Sequence, residues 1–504
     1  MRVRDAPRAL RYRVSMSETS APTFYWHDYE TFGVVPRRDR PVQFAGMRTD
    51  ADLNEIGEPA MWHCQPAPDT LPDPDSVLLT GILPQHALQV GLPEHDFAHR
   101  IEAELARDGT IGVGYNSIRF DDEVTRHLFW RNLMDPYARE WQNGCSRWDL
   151  LDVVRATWAL RPEGIVWPQH TTGAMAGRPS FKLEHLTAAN GLAHDAAHDA
   201  LSDVRATIAV ARLIKARQPR LWDFCLKLRK KDAVAEEIGL GQGRPFVHLS
   251  GMYPVERGCL AVVWPLAPHP TNKTEVIVWD LAHDPRQLLG LDFEAVRRRL
   301  YTRQDLLPEG ETRLPIKTIH INKSPIVIGN LRTVEPVAEC WQLDIPAALR
   351  NAQHAAALGR NLDALWPLVF TRPAAATPPD VDEDLYGGFV GNDDRRALQR
   401  LIELSPGALA AKRVAFDDPR LEELLFRYRA RNFPDTLTDG DQARWHQHRV
   451  DRLLHGAGGA FSLPQFFERI DALAEAAADR EDARAQALLD ALYDYAESIA
   501  PEDG

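Results

Sequence analysis

Residues Phe24–Phe32 read F-Y-W-H-D-Y-E-T-F, and this stretch constrains the fold of the chain more than its other motifs. Aromatic and β-branched residues are enriched in strands, so the stretch predicts a β-strand. Side chains two residues apart on a strand point to the same face, which places Asp28 and Glu30 side by side. Two carboxylates on one face repel each other unless a cation or a proton lies between them. The strand is therefore either an edge strand with a solvated acidic face or one wall of a cation site.

The overall composition is typical of a globular protein with several domains. The chain has 504 residues, 44% of them hydrophobic and 26% charged. It contains no apolar run of the roughly 18 residues that a membrane span requires, so we expect no membrane contact. Five scattered cysteines without a C-x-x-C pair argue against a disulfide framework and a zinc–cysteine site, and they fit a cytoplasmic protein. The net charge of −13 does not by itself indicate a nucleic-acid binder, because such proteins usually carry a basic field.

The pattern along the chain predicts a tail and three domains. The N-terminus is Arg-rich without a continuous apolar segment, so it is not a secretory signal, and we expect residues 1–22 to form a disordered tail. Strand-like and helix-like segments alternate next, which predicts a mixed α/β domain over residues 23–217. Regularly spaced short strands predict a β-rich domain over residues 218–372. A Pro- and Ala-rich linker at 371–380 is followed by apolar residues at helical spacing, which predicts a helical domain over residues 373–504.

A second acidic stretch is N116-S-I-R-F-D-D-E123, which follows the strand-like run I111-G-V-G-Y115. A helix is predicted to begin near Asp121. Asp is a common helix cap, so Asp121 is either that cap or part of a second acidic site.

A third stretch, H194-D-A-A-H198-D-A-L-S-D203, allows three interpretations. Two His residues four apart are typical of zinc-binding helices. The His–Asp doublets are also found in a class of phosphohydrolases. In the third interpretation, His198 lies in a loop and Asp203 lies on the helix that follows it. Solvent-facing His residues beside a helix N-terminus, with Asp199 complementing its dipole, are the structural alternative to all three.

Together the three stretches supply four acids and a histidine. If Asp28, Glu30, Asp121 and Asp203 converge in one cleft, their repulsion calls for divalent cations, and Mg²⁺ prefers such oxygen ligands. Two ions about 3.5–4 Å apart suit in-line attack of water on a phosphodiester. A neutral His198 beside them is suited to take the proton of that water.

The order D-x-E, N-x-x-x-F-D and H-x-x-x-x-D resembles the DEDDh family of 3′→5′ exonucleases, whose core is ribonuclease-H-like. Longer strings resemble the bacterial exonuclease I family in particular, and the resemblance extends from about Phe24 to the last helices. The resemblance implies an α/β ribonuclease-H-like exonuclease core, an SH3-like β-rich domain and a C-terminal α-helical domain. The strings that carry it are H27-D-Y-E-T-F-G33, R119-F-D-D-E-V-T-R126, S146-R-W-D-L-L-D152, L160-R-P-E-G164, S180-F-K-L-E-H-L186 and Y428-R-A-R-N-F-P434.

The resemblance implies a role for each acid in holding two Mg²⁺ ions, for which Mn²⁺ is expected to substitute. Asp28 would contact both ions, while Glu30 and Asp203 would bind the ion that carries the attacking water. Asp121 would support the second ion through water, with Asp122 as its adjacent alternative. His198 would be the general base, which leaves His194 a bystander.

The resemblance also implies contacts with the DNA strand. Glu30 would touch the substrate as well as the metal. Lys182 stands where close relatives carry Arg, so a phosphate contact would keep its charge but lose the bidentate fork. Further expected strand contacts are Arg126, Tyr137, Trp141 and Arg155. A channel lined by basic residues would reconcile strand binding with the acidic total. The candidates from the last two domains are Lys227, Arg229, Lys230, Lys231, Lys317, Lys323, Arg427, Arg429 and Arg431.

The implied activity is Mg²⁺-dependent hydrolysis of single-stranded DNA in the 3′→5′ direction with release of 5′-mononucleotides, in DNA repair and recombination. The resemblance further implies a monomer that binds the C-terminal tail of single-stranded-DNA-binding protein. The alternatives are a DEDDh ribonuclease or proofreading-type exonuclease, and a non-catalytic single-strand-binding scaffold. The two additional domains argue against the first alternative, and the complete acid set argues against the second.

Overall fold

The computed structural model describes residues 22–194, 199–371 and 378–502, with the backbone alone at positions 360 and 361. The predicted tail up to residue 21, the linker residues 372–377 and His198 therefore lie outside the described residues. Within the described ranges, no helix has the length and apolar character needed to cross a membrane.

The first part of the chain is built on a five-stranded mixed sheet with the order β3-β2-β1-β4-β5. Strands β1, β2 and β3 pair antiparallel, whereas β4 lies parallel to both β1 and β5. The predicted strand that carries the two acids is therefore central rather than an edge strand. The bounds are β1 Thr23–Thr31, β2 Pro41–Thr49, β3 Glu55–His63, β4 Thr110–Gly114 and β5 Ser146–Asp149.

The two faces of β1 pack into different apolar clusters because its side chains alternate. Phe24 and Trp26 lie on one face, in a cluster that includes Trp148 and Trp222, whose ring centroids are 4.8 Å apart. Tyr25 and Tyr29 pack on the opposite face, where the ring centroids of Tyr29 and Phe44 are 4.9 Å apart. By the same alternation, Asp28 and Glu30 continue the face of Phe24 and Trp26.

Helices cover both faces of this sheet. The helix-like segments that were predicted between the strands are present as helices. The longest of them, α7, packs against β1 and β2 on the face that carries Asp28 and Glu30. The bounds are α1 Pro74–Thr80, α2 Pro84–Val90, α3 Glu94–Leu105, α4 Asp121–Arg131, α5 Leu150–Leu160, α6 Leu183–Ala189, α7 Ala200–Arg217, α8 Pro219–Lys227 and α9 Lys231–Ile238.

The middle part contains a second five-stranded sheet, antiparallel throughout, with the order β10-β6-β7-β8-β9. Each of its strands was predicted from short runs rich in Val, Ile and Trp. The strands are β6 Phe246–Leu249, β7 Leu260–Pro268, β8 Glu275–Asp280, β9 Ile316–His320 and β10 Ile326–Ile328, and the helices are α10 Phe293–Tyr301, α11 Glu335–Ala338, α12 Ile345–Leu358 and α13 Leu365–Phe370.

The last part is helical, as predicted. One apolar cluster joins Phe466 and Leu492 to Phe32 and Val42 of the first part, and another joins Leu421 and its neighbours to α4. These contacts fix the helices on the region of the first sheet. The bounds are α14 Asn392–Ile402, α15 Pro406–Ala411, α16 Arg420–Asn432, α17 Asp439–Leu453, α18 Leu463–Asp479 and α19 Ala483–Ile499.

A buried ionic cluster reinforces this docking. Arg431 donates to Asp69 of the first part at 2.7 Å and to Asp382 at 2.5 Å, and Arg40 of the first part donates to Asp382 at 3.1 Å. Arg427 donates to Asp380 at 2.7 Å. The expectation that Arg427 and Arg431 line a strand-binding channel is wrong, because both side chains are buried and neutralised by these acids.

Candidate active site

Three of the predicted acids converge on one point beside the central strand. Asp28, Glu30 and Asp203 each offer a carboxylate oxygen, and these oxygens lie within 4.8 Å of one another. Glu30 is only 9% exposed. Three carboxylates this close repel one another, and hard divalent cations with oxygen ligands relieve such repulsion.

The fourth predicted acid is held by the strand itself. Pairing of β1 with β4 ends at Trp26 and Val113, so the edge of β1 beyond that point is free for another partner. There the backbone N–H of Tyr29, between the two acids of β1, donates to Asp121 Oδ1 at 3.1 Å. Asp121 therefore does not cap α4, whose cap residue is Phe120. The bond anchors Asp121 beside the three-carboxylate group.

The N-terminus of α7 positions Asp203. The side chain of Asp199 caps this helix by accepting from the N–H of Ser202 at 3.0 Å. Gln43, the partner of Glu30 across the β1–β2 ladder, accepts from the N–H of Ala200 at 3.2 Å. The start of α7 is thus tied to the strand beside β1, so that Asp203 faces β1 one turn into the helix.

The electrostatics reflect this crowding. Burial raises the pKa of Asp28 well above its usual range, and the nearby charges of Asp121, Glu30 and Asp203 raise it further. Burial, with Asp203 and Asp121, raises the pKa of Glu30 to about 8. The site without a cation therefore favours bound protons, and a divalent cation competes with them for the same oxygens.

Asp122 lies outside this group despite being adjacent to Asp121. Arg139 donates to Asp122 Oδ1 at 2.7 Å, and Arg147 donates to Oδ2 at 3.1 Å. Burial by itself would raise the pKa of Asp122, but the two guanidinium groups outweigh it and hold that pKa well below its usual range. The environment thus favours Asp121 over Asp122 as the site residue.

The histidines of the third stretch are only partly described, because His198 lies outside the described residues. His194 itself is not on a helix, and residues 195–198, which would complete the zinc motif, lie outside the described residues. Its Nε2 is 2.6 Å from Asp203 Oδ1. The structure therefore places His194 against the acid group instead of leaving it a bystander.

The expected strand contacts differ widely in their environment. The side chain of Lys182 is 61% exposed and lies 3.3 Å from Glu184. Trp141 is 65% exposed, which is unusual for a large aromatic side chain and fits a stacking surface. Arg155 is partly buried and donates to Asp152 at 2.8 Å.

Arg126 and Tyr137 are less accessible. Arg126 is 5% exposed, and its guanidinium bonds Glu140 at 2.7 Å and 2.8 Å and Glu123 at 2.9 Å. It also lies 5.2 Å from the ring centre of Tyr137, which is half-buried. In this arrangement the guanidinium of Arg126 is held by two carboxylates and the ring of Tyr137.

Sequence reasoning missed several residues that build the site. Gln43 anchors α7, and Asp149 accepts from the N–H groups of Asn116 and Ile118 at 2.9 Å and 3.2 Å, which fixes the loop before Asp121. A signal for Gln43 exists in the sequence, because it is a lone amide among the strand-forming residues of β2. The partners of Asp149 carry no sequence signal, since they are backbone groups.

Comparisons with known proteins agree with this geometry. Family models described as Exonuclease, Exonuclease I SH3-like domain and Exonuclease I C-terminal domain match residues 25–211, 229–372 and 379–499. Exodeoxyribonuclease I of Escherichia coli is 46% identical over 488 residues, which cover 95% of this chain and 98% of that protein. The chain belongs to the exonuclease I family. Exodeoxyribonuclease I of Haemophilus influenzae is 41% identical, over 94% of this chain and 98% of its own.

Solved structures of exonuclease I show the same architecture. The crystal structure of the E. coli protein in complex with a dA16 oligonucleotide matches with a TM-score of 0.89 and 44% identity, over 95% of this chain and all of that one. The zinc-bound form of the E. coli complex with single-stranded DNA matches with a TM-score of 0.87 and 44% identity, over 95% of this chain and 99% of that one. The chain thus combines an exonuclease core, an SH3-like domain and the helical C-terminal domain of exonuclease I.

Proposed function

We propose that this exodeoxyribonuclease hydrolyses single-stranded DNA from the 3′ end at a two-Mg²⁺ site and releases 5′-mononucleotides. The observation that carries the proposal is the convergence of Asp28, Glu30 and Asp203 within 4.8 Å, with Asp121 anchored beside them. The similarity to exodeoxyribonuclease I along nearly the whole chain supports the substrate.

The donor set fits a hard divalent cation, because its ligands are carboxylate oxygens without Cys. When bound, Mg²⁺ supplies charge neutralisation and an acidified water for an in-line displacement. Asp28 would contact both ions, Glu30 and Asp203 would help to hold the first, and Asp121 would support the second. Mn²⁺ has similar ligand preferences and would substitute.

The remaining roles belong to side chains that handle the proton and the strand. His198 is proposed as the general base, because it stands five residues before Asp203 in the H-x-x-x-x-D order of the family. Lys182 would contact a phosphate and Trp141 would stack on a base, as its exposure allows. Glu30, Arg126, Tyr137 and Arg155 would complete the strand-binding surface.

We further propose a monomeric, cytoplasmic protein that acts in DNA repair and recombination and binds the C-terminal tail of single-stranded-DNA-binding protein. Family membership supports the partner and the pathway. Free cysteines, four of the five buried, fit a reducing compartment. Analytical ultracentrifugation with and without a peptide of that tail tests the oligomeric state and the partner together.

The activity is tested with 3′-labelled single-stranded DNA, single-stranded RNA and duplex DNA in the presence of Mg²⁺. We expect mononucleotide release from single-stranded DNA and much slower release from the other two. Asp203→Ala should abolish release, while Asp223→Ala on the exposed surface of α8 serves as the matched control. Faster cleavage of RNA would favour the ribonuclease alternative, and strand binding without cleavage would favour the scaffold. Retained activity in His198→Ala would exclude that residue as the base.

A further inference from the structure

We infer that His194 is a positioning residue that orients the carboxylate of Asp203 toward the metal site. The inference rests on the proposed metal role of Asp203. His194 Nε2 lies 2.6 Å from Asp203 Oδ1, which is a short, charge-assisted distance. The His194 side chain is only 7% exposed, so water competes weakly for this bond.

The second ring nitrogen fixes the orientation of the imidazole. His194 Nδ1 lies 3.1 Å from the hydroxyl of Thr187 on α6. That hydroxyl is also within hydrogen-bond distance of the carbonyls of Leu183 and Glu184, at 3.0 Å and 3.1 Å. Thr187 is completely buried and therefore cannot turn toward solvent. The ring is held between two helices, with α6 on one side and α7 on the other.

The direction of the Asp203 bond follows from charge. A carboxylate that binds a cation is ionised and can only accept hydrogen bonds. The proton of the shared bond must therefore sit on His194 Nε2. The Thr187 hydroxyl carries one proton, which it donates to Nδ1 when the ring is neutral. When both ring nitrogens are protonated, it accepts from Nδ1–H and donates to the carbonyl of Leu183 or Glu184.

This bond has a consequence for metal binding. His194 holds Oδ1 of Asp203, and a carboxylate oxygen of Asp203 lies within 4.8 Å of carboxylate oxygens of Asp28 and Glu30. A carboxylate held in one rotamer binds a cation without losing rotational freedom at that moment. Outer groups that orient metal ligands typically contribute about 10- to 100-fold to metal affinity.

The same geometry separates His194 from the general base. A base needs a free nitrogen aimed at the attacking water. The bonds to Asp203 and Thr187 occupy both nitrogens of His194. His194 therefore acts through Asp203, and its loss should weaken metal binding rather than proton transfer.

The test measures binding of Mn²⁺, and separately of Mg²⁺, to the full chain without DNA, by electron paramagnetic resonance and by calorimetry. His194→Ala should weaken binding about 10- to 100-fold, whereas His194→Gln, which keeps an N–H donor, should recover most of it. Thr187→Val, which keeps the shape but removes the hydroxyl, should give a smaller loss of the same sign. His99→Ala, at a partly exposed position on α3, is the matched control and should bind as the wild type does. Melting temperatures in EDTA show that each variant is folded.

Turnover of single-stranded DNA provides a second readout. In His194→Ala, the metal concentration for half-maximal rate should rise, while kcat at saturating metal stays within a few-fold of the wild type and the pH profile keeps its shape. Unchanged metal affinity in His194→Ala overturns the inference. A loss of kcat that excess metal does not restore, together with loss of a limb of the pH profile, also overturns it and makes His194 the base. Equal metal binding by Asp203→Ala and the wild type would instead contradict the proposed metal site itself.

Discussion

Asp121 and Asp122 are consecutive residues at the start of α4, yet their carboxylates lie in opposite electrostatic environments. Asp121 accepts from the N–H of Tyr29 and faces the acids of β1, whereas Asp122 is clamped by Arg139 and Arg147. Burial and the charge of Asp122 raise the pKa of Asp121, while the two arginines hold the pKa of Asp122 low. Asp121 therefore suits cation binding, and Asp122 suits structural support.

Replacing each of these acids with its amide should give opposite results. Asp121→Asn should lower kcat by about 100-fold or more, as expected when a charge acting at the reacting groups is removed. It should leave the thermal stability equal or higher, because the repulsion between Asp121 and the neighbouring carboxylates falls. Asp122→Asn should lower the free energy of unfolding by about 3–5 kcal/mol, because two buried guanidinium groups lose their counter-charge. Urea denaturation and single-turnover rates measure the two effects. Equal stability losses in both variants would contradict the assignment.

Mg²⁺ should stabilise the protein more at pH 8 than at pH 6. In the metal-free fold, Glu30 has a pKa of about 8 and that of Asp28 is also raised, so the fold keeps protons that the unfolded chain releases above about pH 4. The free energy of unfolding therefore falls as the pH rises from about 4 to about 8, by about 1.4 kcal/mol per unit for each retained proton. Mg²⁺ displaces these protons, so its benefit grows with pH.

Thermal unfolding with and without Mg²⁺ at pH 6, 7 and 8 measures this dependence. Glu30→Gln is the control variant, because it removes one titrating carboxyl and should flatten the dependence on pH. A shift in Tm on adding Mg²⁺ that is the same at pH 6 and pH 8 would count against proton–metal competition.

Trp141→Ala should weaken strand binding without affecting stability. The side chain is 65% exposed, so its removal leaves no cavity, whereas stacking on a base contributes about 1–3 kcal/mol, or about 5- to 150-fold in Kd. Fluorescence anisotropy with an oligothymidylate in EDTA measures Kd without cleavage. The buried Trp148 is the contrasting position, since Trp148→Ala should cost about 3–5 kcal/mol of stability. An unchanged Kd in Trp141→Ala would remove it from the strand-binding surface.

Asp69→Asn should destabilise the docking of the helical part on the sheet region. Asp69 is fully buried and accepts from Arg431 at 2.7 Å, so the amide leaves a buried guanidinium undercompensated, at a cost of about 3–5 kcal/mol. The exposed pair Asp75–Arg469 joins the same two parts at 2.7 Å and provides the matched control. Asp75→Asn should cost less than about 1 kcal/mol. Urea denaturation compares the two, and equal losses would contradict this account.

Glu123→Gln should lower the free energy of unfolding, because Glu123 is a junction of all three parts of the chain. It accepts from Arg126 at 2.9 Å and from the hydroxyl of Tyr386 in the last part, and Lys323 of the middle part lies 3.6 Å away. A charge-assisted bond contributes about 1.5–3 kcal/mol, and the neutral amide keeps only part of that contribution. Urea denaturation measures the loss. Glu102→Gln, on α3, is the control, and equal free energies of unfolding in Glu123→Gln and the wild type would contradict the junction role.

Much of the local structure could be predicted from the sequence because its signals are local. Alternating aromatic residues predicted β1, short Val- and Ile-rich runs predicted the second sheet, and helical spacing predicted α7. Strand β3 was not predicted, because its residues Glu55–His63 mix charged, Gly and Pro residues without alternation and are ordered by pairing with β2. Pairing of this kind is a tertiary effect that local propensity does not report.

The sequence by itself determined the chemistry available to this protein: the acids at D-x-E, F-D and H-x-x-x-x-D, their order, and the family to which that order belongs. Only the tertiary structure decided how neighbouring residues differ in role. It assigned Asp122 to two buried arginines and Asp121 to the N–H of Tyr29, and it brought His194 against Asp203. It also turned Arg427 and Arg431 inward to buried acids. The reason is that charge–charge energies depend on distance and burial, and the fold sets both between residues far apart in the chain.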